Sequence, residues 1–220
     1  SVHGRKVAES SLSFIMPKDG KRAIVRCRDD HYVHPFPQLN LAGCRALHVD
    51  GHQGDAALHY ARACREAGIL TSLDGGAVRA NTDELLQFID VAVVSEDFSG
   101  QLGLEAHGTL DFLAERGCTV SGVTMGERGL LWREGKGEIR LMPALSVPPE
   151  KVIDTSGAGD IFHGAYVHSY LTAPQRSWSE HFDIARAASA YSVQHLGNEE
   201  SLPSLEDIET ARAAFPPKAA

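Results

Sequence analysis

The chain has 220 residues and a mass of 23.7 kDa, enough apolar content for one α/β domain or two small ones. A formal net charge of −8 and a pI near 5.7 exclude a general nucleic-acid binder and a binder of anionic membranes, since either needs a basic patch. Cys27, Cys44, Cys64 and Cys118 form no Cys-x-x-Cys pair, no apolar run has the length of a membrane span, and no apolar signal core follows Ser1 to Lys6, so the expected location is cytoplasmic.

Ser11 to Met16, the turn Pro17-Lys18-Asp19-Gly20 and Ala23 to Cys27 predict a β-hairpin, with Asp-Gly as the turn signal. Residues 1–40 are expected to form a two-stranded flap with its connection, and residues 41–220 an α/β core. Ala46 to Val49 reads as a buried strand, followed by a helix capped by Asp55, with Leu58, Ala61 and Cys64 on one face, and stopped by Gly68. A strand from Ile69 to Leu73 ends at Asp74. A helix from Thr82 to Ile89 and a strand from Val91 to Val94 follow. This βαβαβ alternation implies parallel strands with helical crossovers and ligands at the strands' carboxyl ends, where Asp50, Asp74 and Ser95-Glu96-Asp97 fall. Further on come a helix over Glu105 to Arg116, a strand over Thr119 to Thr124 and a hairpin through Gly129 to Leu141. A helix after the glycine run of residues 157–159 puts Phe162, Ala165, Tyr166 and Tyr170 on one face and ends before Pro174. Another opens with the capping box Ser177-x-x-Glu180 and runs to Gly197; its alanines let a ligand or a neighbouring helix approach closely.

The stretch richest in chemistry is Asp154-Thr155-Ser156-Gly157-Ala158-Gly159-Asp160, continued by Ile161-Phe162-His163-Gly164. Gly157 and Gly159 allow a tight turn and close backbone approach, and the helix starting there offers unpaired N–H groups and the positive end of its dipole. Asp160 stands in the first turn, where a carboxylate could take the proton of an attacking hydroxyl. The competing reading is that Asp160 complements the helix dipole and the glycines close a loop. Two nucleotide motifs fail on spacing: Phe162 occupies the third small position of a dinucleotide fingerprint, and no Gly-Lys-Ser/Thr ends a Walker A loop. His31-Tyr32-Val33-His34 and His48-Val49-Asp50-Gly51-His52 lack a third ligand for zinc. Trp132 and Trp178 read as packing residues, and Arg62, Arg65 and Glu66 as a solvated helix face.

Asp154 to Gly164 resembles the second signature of the ribokinase-type, or PfkB, carbohydrate kinases. Val123-Thr124-Met125-Gly126-Glu127-Arg128-Gly129 is similar to that family's strand and loop beside the nucleotide. Gly197 to Pro203 is similar to its late loop, and the opening hairpin to its lid. The resemblance runs from about Ser11 to Ile208 and implies a three-layer α/β/α fold with a mostly parallel sheet and a small β lid. It implies transfer of the γ-phosphate of ATP to a hydroxyl of a small sugar or related polyol, with Asp160 as general base and the amides of Gly157, Ala158 and Gly159 as the anion hole. Thr124, Gly126 and Gly129 carry over as nucleotide contacts, although a plain strand-to-hairpin turn explains them too. Asp50 carries over as a sugar contact, against the alternative of a solvent-facing loop aspartate. Glu96 and Asp97 are the expected indirect Mg2+ groups. Asp154, Ser156, Gly197 and Ser201 match positions of a monovalent cation, usually K+, while Asp154 also suits a loop cap. The lid strand Leu12 to Met16 could pair across a homodimer.

Two departures accompany the resemblance. The family's N-terminal part, with its first glycine-rich signature and most sugar-binding residues, has no counterpart; a fragment of a longer kinase is favoured over a chain that has lost substrate binding, because the missing strands would leave apolar sheet edges. Ser95-Glu96-Asp97-Phe98 replaces the usual Asn-x-x-Glu, with a serine as in the ketohexokinase-like branch, which favours a ketose or other sugar. The alternatives are a catalytically silent nucleotide or sugar sensor, separated by the absence of sugar-dependent ATP consumption, and a nucleoside kinase, separated by a substrate panel.

Overall fold

The structure is a computed structural model that describes residues 12–18, 21–27, 35–197 and 199–218. It divides into two units, Ser1–Ala42 and Gly43–Ala220. In the first, β1 (Leu12–Lys18) and β2 (Lys21–Cys27) pair antiparallel, with Phe14 opposite Val25 and Lys18 opposite Lys21. Ser11, the Asp19-Gly20 turn and the His31 and His34 pair lie outside the described residues. Leu12, Phe14, Met16 and Val25 are exposed, and strand alternation with this register puts all four on one face of the hairpin.

The second unit holds a six-stranded sheet built in chain order: β3 (Ala46–Val49), β4 (Leu70–Gly75), β5 (Val91–Ser95), β6 (Val120–Thr124), β7 (Leu130–Glu134) and β8 (Arg140–Met142). The first four strands are parallel and the last two antiparallel. Helices α1 (Gly54–Glu66), α2 (Thr82–Leu86), α3 (Glu96–Leu102) and α4 (Ala106–Glu115) cover one face. There Ala61, Leu86, Phe98 and Leu113 bury against Leu73, Val94 and Val123. On the other face, α5 (Ala158–Thr172) and α6 (Trp178–Ser192) bring Phe162, Tyr166 and Phe182 onto Val91, Val93 and Trp132. Helix α7 (Leu205–Ala214) packs behind them through Ile208 and Ala211. The run Val91-Ala92-Val93-Val94 is buried on both faces, as a central parallel strand requires. Each large aromatic in these layers buries roughly 150–250 Å², which makes the α5–α6 layer a major share of the core. The result is the three-layer α/β/α arrangement with a mostly parallel sheet that the family resemblance implies, its parallel strands being those expected from the alternation.

The strands follow the sequence pattern, and the helices depart from it in four places. Gln53, not Asp55, is the N-cap of α1, because Asp55 bonds the amide of Ala56 inside the first turn. Helix α2 stops at Leu86: the amides of Phe88 and Ile89 reach only three residues back, a tightened final turn. Helix α3 occupies the Ser95-Glu96-Asp97-Phe98 stretch read only as motif. Ser95 Oγ accepts the Phe98 amide at 3.1 Å, so this serine is a helix cap. Helix α6 ends at Ser192, followed by turns to Gly197 at φ 78°. The Ser177–Glu180 capping box is present as read, and a second, Ser204–Asp207, opens α7.

Gly129 has a structural task independent of any ligand. Its φ is 100°, and a Cβ there would lie 2.7 Å from the amide of Ala144, with the Met142 carbonyl oxygen nearer still. Gly126, at φ 56°, faces open space. In urea denaturation, Gly129→Ala is expected to destabilise by at least about 3 kcal/mol, combining backbone strain with displacement of the end of β8 and the segment that follows it. Gly126→Ala is expected to lose only about 1 kcal/mol.

Candidate functional site

In parallel pairing a residue and its register partner point to the same face, and alternate residues along each strand share that face. His48 on β3 is the register partner of Ser72 on β4. Two residues further along, Asp50 and Asp74 therefore leave the ends of neighbouring strands side by side, on the face covered by α5. Ser95 and Thr124 end β5 and β6 in the same way, as register partners.

Helix α5 starts over these strand ends because Gly157 adopts a left-handed conformation, φ 73°, as its N-cap. No side chain caps the helix among the described residues, and the Ala158 amide makes only a long 3.4 Å bond to the Thr155 carbonyl. The next amides, of Gly159 and Asp160, belong to the first turn, which has no intrahelical acceptor. A Cβ on Gly159 would meet nothing within 4 Å, so the space before these amides is open. Upstream, Asp154 bonds the Ser156 amide at 2.8 Å through Oδ1 and the Gly197 amide at 3.2 Å through Oδ2. It thus staples the loop before α5 to the loop after α6. Ser189 Oγ, on α6, donates to the Ala158 carbonyl at 2.9 Å. The small residues of α6 admit a neighbouring helix, α5.

A cavity of about 480 Å³ opens beside β3. Leu47, His48, Val49 and Asp50 line it from β3 and its end; Gln53, Ala56, Ala57 and Tyr60 from α1 and its cap; Asp74 from β4; Asp160 and Gly164 from α5. Asp160 is exposed to this space, and its carboxylate takes no hydrogen bond among the described residues. The site residues Asp50 and Asp160 therefore meet at one cavity, and Asp74 joins them.

Electrostatics separates these groups. Burial, followed by the charges of Asp160 and Asp50, pushes the Asp74 carboxyl up to about 6, opposed by the Arg79 guanidinium. Asp50 is held below the usual carboxylate range. Burial opposes that shift, but the His52 amide, at 2.9 Å, the His52 ring, at 2.7 Å, and Arg79 outweigh it. His163 Nε2 stands 3.5 Å from Asp74 Oδ1, an ion-pair distance. Burial nevertheless lowers His163 to about 3, with a smaller push from His48, so its ring is neutral and the contact is not a salt bridge.

The remaining predicted positions lie outside the lining of this cavity. Thr124 ends β6 with its hydroxyl on the Val94 carbonyl at 3.3 Å, and Gly126 and Gly129 bracket a short 3-10 turn. Glu96 sits in the first turn of α3, where Arg128 engages its carboxylate; Asp97 is beside it, exposed. Among the described residues no group of three His, Cys, Asp or Glu could hold a metal ion. Glu96 and Asp97 thus form no protein cage for a metal ion among the described residues. Asp154 joins Ser156 to Gly197, and Ser201 is 1% exposed with an Oγ that has no hydrogen-bond partner among the described residues, an oxygen set that would suit a monovalent cation. Sequence reasoning passed over Asp74 and His163 as site residues. The signal was present in the alternation His48/Asp50 and Ser72/Asp74 beneath the i, i+3, i+4 set Asp160, His163 and Gly164.

The family model for pfkB family carbohydrate kinases matches residues 30–205. A ribokinase of Lactococcus lactis is 26% identical over 152 residues, covering 69% of this chain and 48% of that protein. A deoxyribokinase of Salmonella typhi is 36% identical over 98 residues, covering 44% and 29%. The solved structure of Arabidopsis thaliana ribokinase complexed with ribose and ATP superimposes with a TM-score of 0.76 at 20% identity, covering 92% of this chain and 69% of that one. The chain spans about half the length of the first curated relatives it matches.

The raised Asp74 carboxyl has a measurable sign. An acid raised in the folded state favours folding below its unfolded value of 3.8, and that stabilisation is lost as pH rises through about 6. His163 works in the opposite direction, losing stability as pH falls towards about 3; being present in both proteins, it largely cancels in a comparison. The stability of Asp74→Asn relative to the native chain is expected to rise by about 2 kcal/mol between about pH 4.5 and pH 7.5. Urea midpoints at the two pH values check this, and a pH-independent difference would refute it.

Proposed function

Since the chain belongs to the pfkB family of carbohydrate kinases, we propose that it transfers the γ-phosphoryl group of ATP to a hydroxyl of a small sugar, with Asp160 as general base. The observation that carries this reading is the coincidence, at one helix start, of unsatisfied amides, open space over Gly159 and a carboxylate facing a cavity. Bound ATP would supply the phosphoryl group, and its Mg2+ would neutralise part of the phosphate charge. Asp160 takes the proton of the substrate hydroxyl as that oxygen attacks phosphorus. The amides of Gly157, Ala158 and Gly159 stabilise the charge on the transferring oxygens, aided by the dipole of α5. Asp50, held ionised by its His52 and Arg79 partners, accepts hydrogen bonds from other hydroxyls. Thr124, Gly126 and Gly129 would border the nucleotide, and Glu96 and Asp97 would hold its Mg2+ through water.

The ribokinases and deoxyribokinase among the relatives make a pentose our first substrate, ahead of ketohexoses and nucleosides. A K+ ion held by Asp154, Ser156, Gly197 and Ser201 belongs to the same proposal, as does a cytoplasmic location. So does a homodimer through the exposed hairpin face of Leu12, Phe14, Met16 and Val25. For that contact, sedimentation is expected to give a dimer mass that Phe14→Glu reduces to a monomer.

Catalysis is checked by sugar-dependent ATP consumption across a panel of pentoses, ketohexoses and nucleosides, with KCl titrated in the same assay. Asp160→Asn is expected to lose about 10²–10⁴-fold in kcat with an unchanged melting temperature. Gly159→Ala should fold at least as stably, alanine being the better helix former, yet lose turnover because its methyl group enters the phosphate space. Near-native turnover of Asp160→Asn would remove the base from the mechanism. Nucleotide-dependent thermal stabilisation without turnover would identify a binding protein instead.

A further inference from the structure

The cavity has a second connection that the proposed chemistry does not use. Behind Asp74, His163 Nδ1 lies 3.0 Å from the Tyr166 hydroxyl, which lies 2.7 Å from Ser72 Oγ, which in turn lies 3.0 Å from His48 Nδ1. Tyr166, Ser72 and His163 are buried, at 0%, 0% and 4% exposure. Asp74 and His48, the two ends, both line the cavity. Three hydrogen bonds connect two hydroxyls and two imidazole nitrogens, and each hydroxyl has one proton to give. Every link is satisfied only if all three point the same way.

In one ordering His48 Nδ1–H donates to Ser72, Ser72 to Tyr166, and Tyr166 to His163 Nδ1. The proton of neutral His163 then sits on Nε2, facing an ionised Asp74, and His48 Nε2 is a bare acceptor. In the reverse ordering His163 Nδ1–H donates to Tyr166, Tyr166 to Ser72, and Ser72 to His48 Nδ1. His163 Nε2 is then a lone pair, tolerable only beside a protonated Asp74, and His48 carries its proton on Nε2. Each ordering holds the same number of protons within the chain. On reversal one proton passes along every link towards His163, His163 Nε2 gives its proton to Asp74 and His48 Nε2 takes one from solvent; the net change is the single proton that Asp74 gains, and the return runs each step backwards.

We propose that Asp74 acts as a positioning residue through this chain: its charge selects the tautomer of His48, which offers the cavity an acceptor when Asp74 is ionised and a donor when Asp74 is protonated. For a polyhydroxylated ligand this decides which hydroxyl orientation beside Asp50 is accepted, a consequence that rests on the sugar-kinase reading. The groups facing Asp74 are His48 and Asp50 on and after β3, Arg79 after β4, and Asp160, His163 and Tyr166 on α5. Its partner on β5 is the apolar Val93. Burial, with the neighbouring charges, raises the Asp74 carboxyl to about 6, so the reversal falls close to neutral pH.

Long-range proton–nitrogen NMR of the full chain labelled with 15N-histidine reads the tautomers directly, with His48→Gln and His163→Gln supplying the assignments. Between pH 7.5 and pH 5.5 the protonated nitrogen of His163 is expected to move from Nε2 to Nδ1, and that of His48 from Nδ1 to Nε2, with one shared midpoint. In Asp74→Asn both rings are expected to keep one tautomer across the range, since an amide presents the same groups at every pH. Independent titration of the rings, fixed tautomers in the native chain, or a switch that persists in Asp74→Asn would overturn the proposal. The readout requires no substrate. A coupled switch in a protein that phosphorylates no sugar would support this inference and refute the kinase reading, whereas an active enzyme with fixed tautomers would do the reverse.

Discussion

The geometry of the site depends on one register. Ser72 stands level with His48 in the β3–β4 pairing, and a slip of the edge strand β3 by a single residue would turn His48 to the opposite face and carry Asp50 away from α5 and from Asp74. Two things resist that slip. The apolar alternation of Leu47, Val49 and Leu73 must face the α1–α4 layer, and the hydrogen bond from His48 to Ser72 continues to Tyr166, a fully buried residue of α5. A buried polar chain is costly when broken and specific when complete, so the groups that tie α5 to the sheet also set the strand ends beneath Asp160.

Helix α5 meets two demands along its length. Its body presents Phe162 and Tyr166 to the core, stacked and edged against Phe182, while its first turn must stay open. Gly157, in a conformation costly for most residues, lets the chain enter the helix without a capping side chain occupying the first-turn amides. The entering loop is held from the side, by Asp154 across to Gly197 and by Ser189 on the Ala158 carbonyl. A carboxylate at Asp154 thus has a mechanical role in aiming the helix start.

The sequence made the strands legible because their apolar runs are short, strongly β-branched and separated by helical periods; Val91 to Val94 could form little else. It made the start of α5 legible because two glycines flanked by aspartates have few uses. Helix α3 was hidden, since Glu96 to Leu102 is two turns long and its cap, Ser95, stands where the resembled family has one end of a metal motif. The site was half legible. Asp50, Asp74 and Asp160 each stood out at a strand or helix end, but their convergence depends on which face each residue takes. His163 shares a helix face with Asp160 by its i, i+3 spacing, but its position beneath Asp74 is a tertiary fact. Gly129 shows the opposite difficulty, for a motif position read as a nucleotide contact is also dictated by the backbone following β8.

Where the molecule tolerates buried polarity follows from the sheet. β5 is enclosed on both faces and carries only apolar side chains until Ser95, whereas β3 and β4 carry His48, Ser72 and Asp74 on their α5 side. β3 is an edge strand of the described sheet, and the cavity reaches past it to α1, so a polar chain begun there can end in the cavity at both Asp74 and His48. Its desolvation cost then falls on the middle of the chain, on Ser72, Tyr166 and His163, each of which has its partner. The same route laid under β5 would leave both of its ends in apolar core, where unpaired groups cost about 1–3 kcal/mol each. The polar chain is therefore confined to the side of the sheet where the three carboxylates meet, and that confinement couples the interior of the fold to the state of the cavity.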